Sequence, residues 1–128
     1  MPRHHSLKKA LIEWDSLSGT RRKQVKKPLV TAATCLVDYQ EEAIVSRTLI
    51  DKKAGTVTIF AFDEGQGLSE HVAPYDALVN VLEGETEVTI AGQRSLVKAG
   101  ELIILPANQP HALKAPTRFK MMLIMIRA

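Results

Sequence analysis

Cysteine is almost absent: Cys35 stands alone in 128 residues. One thiol closes no internal disulfide, which excludes a stapled scaffold and suits a reducing compartment, so cytoplasm is the expected location. Cys35 sits among Ala33, Thr34, Leu36 and Val37, where a free cysteine is ordinarily a small hydrophobe rather than a nucleophile. No apolar run nears the roughly 18 residues a membrane helix needs. The longest candidate, Met121 to Ile126, is a strand's worth. Glu13 and Asp15 break the first apolar stretch, so no secretory leader is expected. Gly65-Gln66-Gly67 is too short for a dinucleotide loop. No local motif marks out a Ser/His/Asp set.

What is present fits one domain, or one domain and an arm. Hydrophobic residues make up 45% of the chain, within the globular range. The net charge of +3 hides an asymmetry. Residues 1–30 hold eight Lys/Arg and two acids; residues 31–128 hold nine basic and twelve acidic residues. The basicity belongs to the arm, so nucleic acid is not expected as the partner of the domain. Leu7, Ala10, Leu11 and Trp14 follow helical spacing, and Ser16 to Lys27 reads as a basic linker. The arm is expected to be a solvated extension whose helix packs on its own domain or a partner subunit. An electrostatic anchor for nucleic acid or anionic membrane, or a targeting segment, are the alternatives.

From about Leu29 the pattern changes to short β segments parted by turn residues. Val30 to Val37 leads in. Strands are predicted at Ala43–Ile50, Thr56–Phe62, Ala77–Leu82, Glu85–Ile90, Arg94–Val97, Leu102–Leu105, His111–Lys114 and Arg118–Arg127. Ala91-Gly92 is the hairpin turn, where glycine supplies a positive φ. Evenly spaced short strands without a helical pattern between them indicate an all-β sandwich or barrel. Phe119–Ile126 and Ala77–Leu82 are apolar on both faces. A strand buried twice needs cover outside the barrel. A homodimer is the simplest cover; the 1–30 helix is the alternative.

Two histidines carry the chemical signal. His71 sits in Gly65-x5-His71-x-Ala73-x3-Ala77-x6-Gly84, and His111 in Gly100-x5-Pro106-x-Asn108-x2-His111. Both stretches resemble the two motifs of the cupin superfamily. The resemblance covers roughly residues 43–127. It implies a single cupin barrel (a double-stranded β-helix, or jelly roll) over residues 31–128, with residues 1–30 as a basic, partly helical extension. It also implies a pocket ringed by the four ligand positions. His71 stands at the first and His111 at the last. Ala73 stands where the pattern has a second His, and Ala77 where it has Glu. His71 and His111 are thus the candidate metal ligands, and a divalent transition metal (Zn, Ni, Mn or Fe) is expected to bind weakly, since catalytic sites usually have three protein ligands. Asp76 lies beside Ala77, but alternation turns it away unless a bulge re-aims it. Tyr75 and Glu70 meet similar objections. The methionines of the last strand are expected as core or pocket lining, with Met122 taken as the pocket residue.

The function expected is binding of a small molecule beside His71 and His111, lined by Ala73, Ala77 and Met122. The alternative is a metal-dependent enzyme of isomerase, lyase or dioxygenase type with a reduced site. Fold does not choose between them.

Overall fold

The computed structural model describes residues 29–127. The helix expected at Leu7–Trp14 and the linker to Lys27 lie outside the described residues. A 3-10 turn, Ala33–Leu36, leads in. Nine strands follow: β1 Ile44–Lys52, β2 Gly55–Phe62, β3 Gly67–His71, β4 Asp76–Glu83, β5 Glu85–Ile90, β6 Gln93–Lys98, β7 Leu102–Leu105, β8 His111–Lys114 and β9 Phe119–Ile126. They form a five-stranded sheet in the order β1-β2-β9-β4-β7 and a four-stranded sheet in the order β3-β8-β5-β6. The pairings within both sheets are antiparallel. The all-β expectation holds, and the two sheets face each other as a jelly roll.

Turn chemistry places the strands. Ala91 (φ 49°) and Gly92 (φ 83°) both adopt the left-handed conformation, which a two-residue hairpin turn between twisted strands requires. β5 and β6 then pair from Ile90↔Gln93 to Glu85↔Lys98 without a slip. Gly84 (φ 74°) separates β4 from β5, and a Cβ there would collide with the Arg118 carbonyl oxygen. No other residue type allows both the dihedral and the approach.

The core lies between the sheets. Val79, Val81, Val88 and Met121 pack there with Phe62 and Phe119, whose rings stack at 4.5 Å between centroids. A second cluster sits on the outer side of the large sheet. Leu36 and Val37 cover Val45, Ile59 and Ala61, with Met122 and Leu82 at the edge. The two-sided apolar strands are therefore covered in part by residues 33–39 of the same chain. Polar contacts fasten this lead-in segment. Lys120 Nζ donates to the Thr34 carbonyl at 2.7 Å and lies 4.9 Å from the Tyr39 ring centroid. Tyr39 donates to Glu83 at 2.6 Å, and Arg47 Nε donates to the Leu36 carbonyl.

Among the described residues the cover is not complete. Register aligns Ile50, Val57, Ile124, Leu78 and Ile104 in one row across all five strands. Ile50 and Ile104, at its two ends, are each about half exposed (50% and 49%).

Candidate functional site

His71 closes β3 and His111 opens β8, and the two are direct ladder partners. Leu68 pairs with Leu113, yet His71 pairs with His111. Ser69 and Glu70 thus stand opposite Ala112 alone, which is a β-bulge. The extra residue turns His71 to the same side as Leu68, where plain alternation would turn it away. β3 itself went unpredicted from sequence. Its run Gly-Leu-Ser-Glu-His is mostly exposed and carries no alternation to read.

The two rings meet edge to face with Nε2 atoms 3.0 Å apart. The Nδ1 of His71 lies 2.9 Å from the Ser69 carbonyl oxygen, and the Nδ1 of His111 lies 3.1 Å from that of Gln109. A carbonyl oxygen only accepts, so each Nδ1 carries the ring proton. In the neutral state each Nε2 then presents a lone pair, and the two lone pairs point at one another. Two acceptors make no bond. A third group, whether water at the exposed His71, a ligand or an ion, can supply the hydrogen or the empty orbital. Burial holds His111 below the ordinary histidine range; the neighbouring His71 acts the same way, and the Gln109 carbonyl opposes both. Burial therefore disfavours a proton added to His111, and a neutral donor suits that ring better.

The rings stand over a cavity of roughly 50 Å³ whose walls are mainly apolar: Leu68, Val79, Leu105, Leu113 and the β9 side chains Met121, Leu123 and Met125. Ala73 and Ala77 line the same cavity. Met122 does not. It is the neighbour of Met121 on β9, points to the opposite side, and packs into the outer cluster with Ile59 and Leu82. The expected pocket methionine is thus corrected to Met121 and Met125. Tyr75 lines the cavity although strand alternation argued against it. It sits in the connector between β3 and β4, where alternation does not apply. Asp76 does face away: its Oδ1 accepts the Ala107 N–H at 2.8 Å. Glu70 is exposed in the bulge. A larger groove, about 480 Å³, follows the β3–β8 edge past Gly65, Ser69 and Pro116 but holds neither histidine. The lone pairs converge in the smaller cavity, which makes it the candidate site.

The cupin domain family matches residues 58–127, more than half of the chain. The chain belongs to the cupin superfamily. Among solved structures, a conserved protein of unknown function from Streptococcus pyogenes is 34% identical; the match covers 81% of this cupin and 91% of that chain, with a TM-score of 0.77. A cupin 2 conserved barrel domain protein from Leptotrichia buccalis is 46% identical over 71% of this chain, with a TM-score of 0.69. This cupin spans only 44% of that protein. A cupin superfamily protein from Desulfitobacterium hafniense is 25% identical over 80% of this chain and 94% of its own, with a TM-score of 0.74. No curated protein matches the chain.

Cupins commonly bind transition metals, so the donor set of this one decides whether an ion fits. The two Nε2 atoms suit one side of a coordination sphere, and each ring is held by a carbonyl on its far nitrogen as metal-binding imidazoles are. The other two positions, Ala73 and Ala77, have no donor atom. Among the described residues no group of three or more His, Cys, Asp and Glu could hold a metal ion. The donors that the described residues bring together do not suit a tightly held metal ion.

Proposed function

We propose that this cupin binds a small organic molecule with a compact apolar body and a hydrogen-bond-donating head. The carrying observation is the pair of Nε2 lone pairs converging at 3.0 Å over an otherwise apolar cavity. A hydroxyl or amide hydrogen within reach of both nitrogens satisfies them, and a few carbon atoms fill the space below. The size follows from the volume: a water needs about 10–15 Å³ on the same measure, so roughly 50 Å³ admits only a few heavy atoms. Ala73 and Ala77 widen the cavity where larger side chains would fill it, and Tyr75 stands at its wall.

Ligand-observed NMR with matched probes tests this. Ethanol and 2-propanol are expected to bind, and the ethers isomeric with them are not. His111→Ala is expected to abolish the difference. Ethers that bind as well as the alcohols would sink the reading.

The second reading is a metal-dependent enzyme of isomerase, lyase or dioxygenase type with a non-standard site. The separation of the Nε2 atoms supports it, since two imidazoles on one ion with bonds of about 2.1 Å lie near this distance. Two imidazoles alone would hold Zn, Ni, Mn or Fe only weakly, and metal analysis of the purified protein separates the readings. For partners, the uncovered row from Ile50 to Ile104 supports a homodimer in which a second copy covers it. The domain has more acidic than basic residues, which argues against nucleic acid. No helix among the described residues is long and apolar enough to cross a membrane. The single cysteine supports work in a reducing compartment such as the cytoplasm.

A further inference from the structure

Beyond His71 and His111 no ladder holds the two strands together, because β3 ends and β8 begins at those residues. The ladders place the two backbones, His71 against His111 and His111 against Ile90, and the connectors that leave them, 72–75 and 106–110, border the rings on the open side. The Ala91 N–H donates to the Pro110 carbonyl at 2.8 Å, and two more hydrogen bonds tie these connectors on the side of β4. The Asn108 N–H donates to the Ala73 carbonyl at 2.7 Å, and the Ala107 N–H donates to Asp76 Oδ1 at 2.8 Å. Asn108 is held in the left-handed conformation, φ 67°, which asparagine tolerates better than most residues but which still needs support. The next residue, Gln109, supplies the carbonyl that takes the His111 Nδ1 proton.

We propose that Asp76 is a positioning residue for the histidine pair. Its carboxylate grips the backbone of the 106–110 loop. The loop aims the Gln109 carbonyl, the carbonyl fixes the His111 tautomer, and the tautomer turns the Nε2 lone pair toward His71. Asp76 touches neither the cavity nor the rings. It acts through Ala107, from the strand that also carries Ala77 into the cavity. Alternation along β4 turns Asp76 away from the side of Ala77, and there the Ala107 N–H gives its oxygen a partner. The proposal rests on the reading that the histidine pair faces the ligand, but its test does not use a ligand.

The experiment is long-range ¹H–¹⁵N NMR of the histidine rings in the full chain, which reads the tautomer of His111 directly. The wild type is expected to show a single Nδ1–H form. Asp76→Ala removes the acceptor and is expected to yield a mixture of tautomers with broadened His111 signals. Asp76→Asn keeps an oxygen at the same place and is expected to restore the wild-type pattern. Amide signals of Phe62, Val79 and Val88 report whether the barrel itself is intact. An unchanged His111 pattern in a folded Asp76→Ala protein would overturn the proposal. So would an Asp76→Asn protein that behaves like Asp76→Ala, since charge and not the hydrogen bond would then be responsible. If Asp76→Ala fails to fold, Asp76→Ser, which is too short to reach Ala107, replaces it with the same expected mixture. Failure of the probes in ligand binding with a positive tautomer result would discard the ligand reading alone.

Discussion

Leu68 and His71 face the same cavity although three positions separate them along β3. In a regular strand they would face opposite sides. The bulge at Ser69-Glu70 is what converts a surface histidine into a site histidine. It also leaves the Ser69 carbonyl two residues behind the ring, where it takes the Nδ1 proton.

The positions of the alanines lead to the first prediction. Ala73 and Ala77 line the cavity together with both histidines, so Ala73→His with Ala77→Glu raises the donor count from two to four. Affinity for Zn²⁺ is expected to rise by orders of magnitude, since the added donors start from a framework that is already ordered. The wild type is expected to bind weakly, and His111→Ala not at all. Calorimetric titration of the three proteins checks it. Tight binding by the wild type would show that donors such as Tyr75 complete the site.

Acid should destabilise the barrel through His111. Burial holds its folded-state pKa below the ordinary value, while the unfolded chain titrates at about 6.5. Below that pH the unfolded state binds more protons than the folded one, so stability is full above about pH 6.5 and falls as pH drops toward the folded value. Thermal melts from pH 8 to pH 5 are expected to show this loss, and a His111→Gln protein to show a smaller one. Equal slopes for the two proteins would assign the effect elsewhere.

Removal of residues 1–27 should leave a cooperative barrel. The residues described in both core clusters begin at Ala33, so the melting temperature is expected to move by only a few degrees, a change of about 1 kcal/mol or less. The exposed row should then govern assembly. Light scattering is expected to give a dimer for the full chain, and Ile104→Glu to shift it toward monomer. A monomeric full chain would mean that the row is covered in some other way. A truncated chain that no longer melts cooperatively would make the arm part of the fold.

The sequence made some features readable and hid others for definite reasons. Ala91-Gly92 announced its hairpin because few dipeptides suit two positive φ values. The spacing around His71 and His111 led to one cavity, with both alanines on its wall. Met122 shows a limit. Period 2 separates Met121 and Met125 from Met122, but both sets are apolar, so pattern alone did not say which set turns inward. The bulge in β3 was equally silent, because the extra residue lies in an exposed polar run where either phase of alternation looks alike. Tyr75 was set aside by a strand rule although its position is a connector. The cover supplied by Leu36 and Val37 was hidden too, since a short 3-10 turn with no capping side chain leaves little periodicity.

The facing Nε2 atoms of His71 and His111 have one more consequence. Two electron-rich nitrogens pressed together at 3.0 Å are a frustrated contact, one that stability alone would remove. The barrel tolerates that local discord because its valine and phenylalanine core does not depend on it. On the proposed ligand reading its mouth is an unfinished circuit: a visitor that brings the missing hydrogen closes it, and an apolar molecule of the same shape does not.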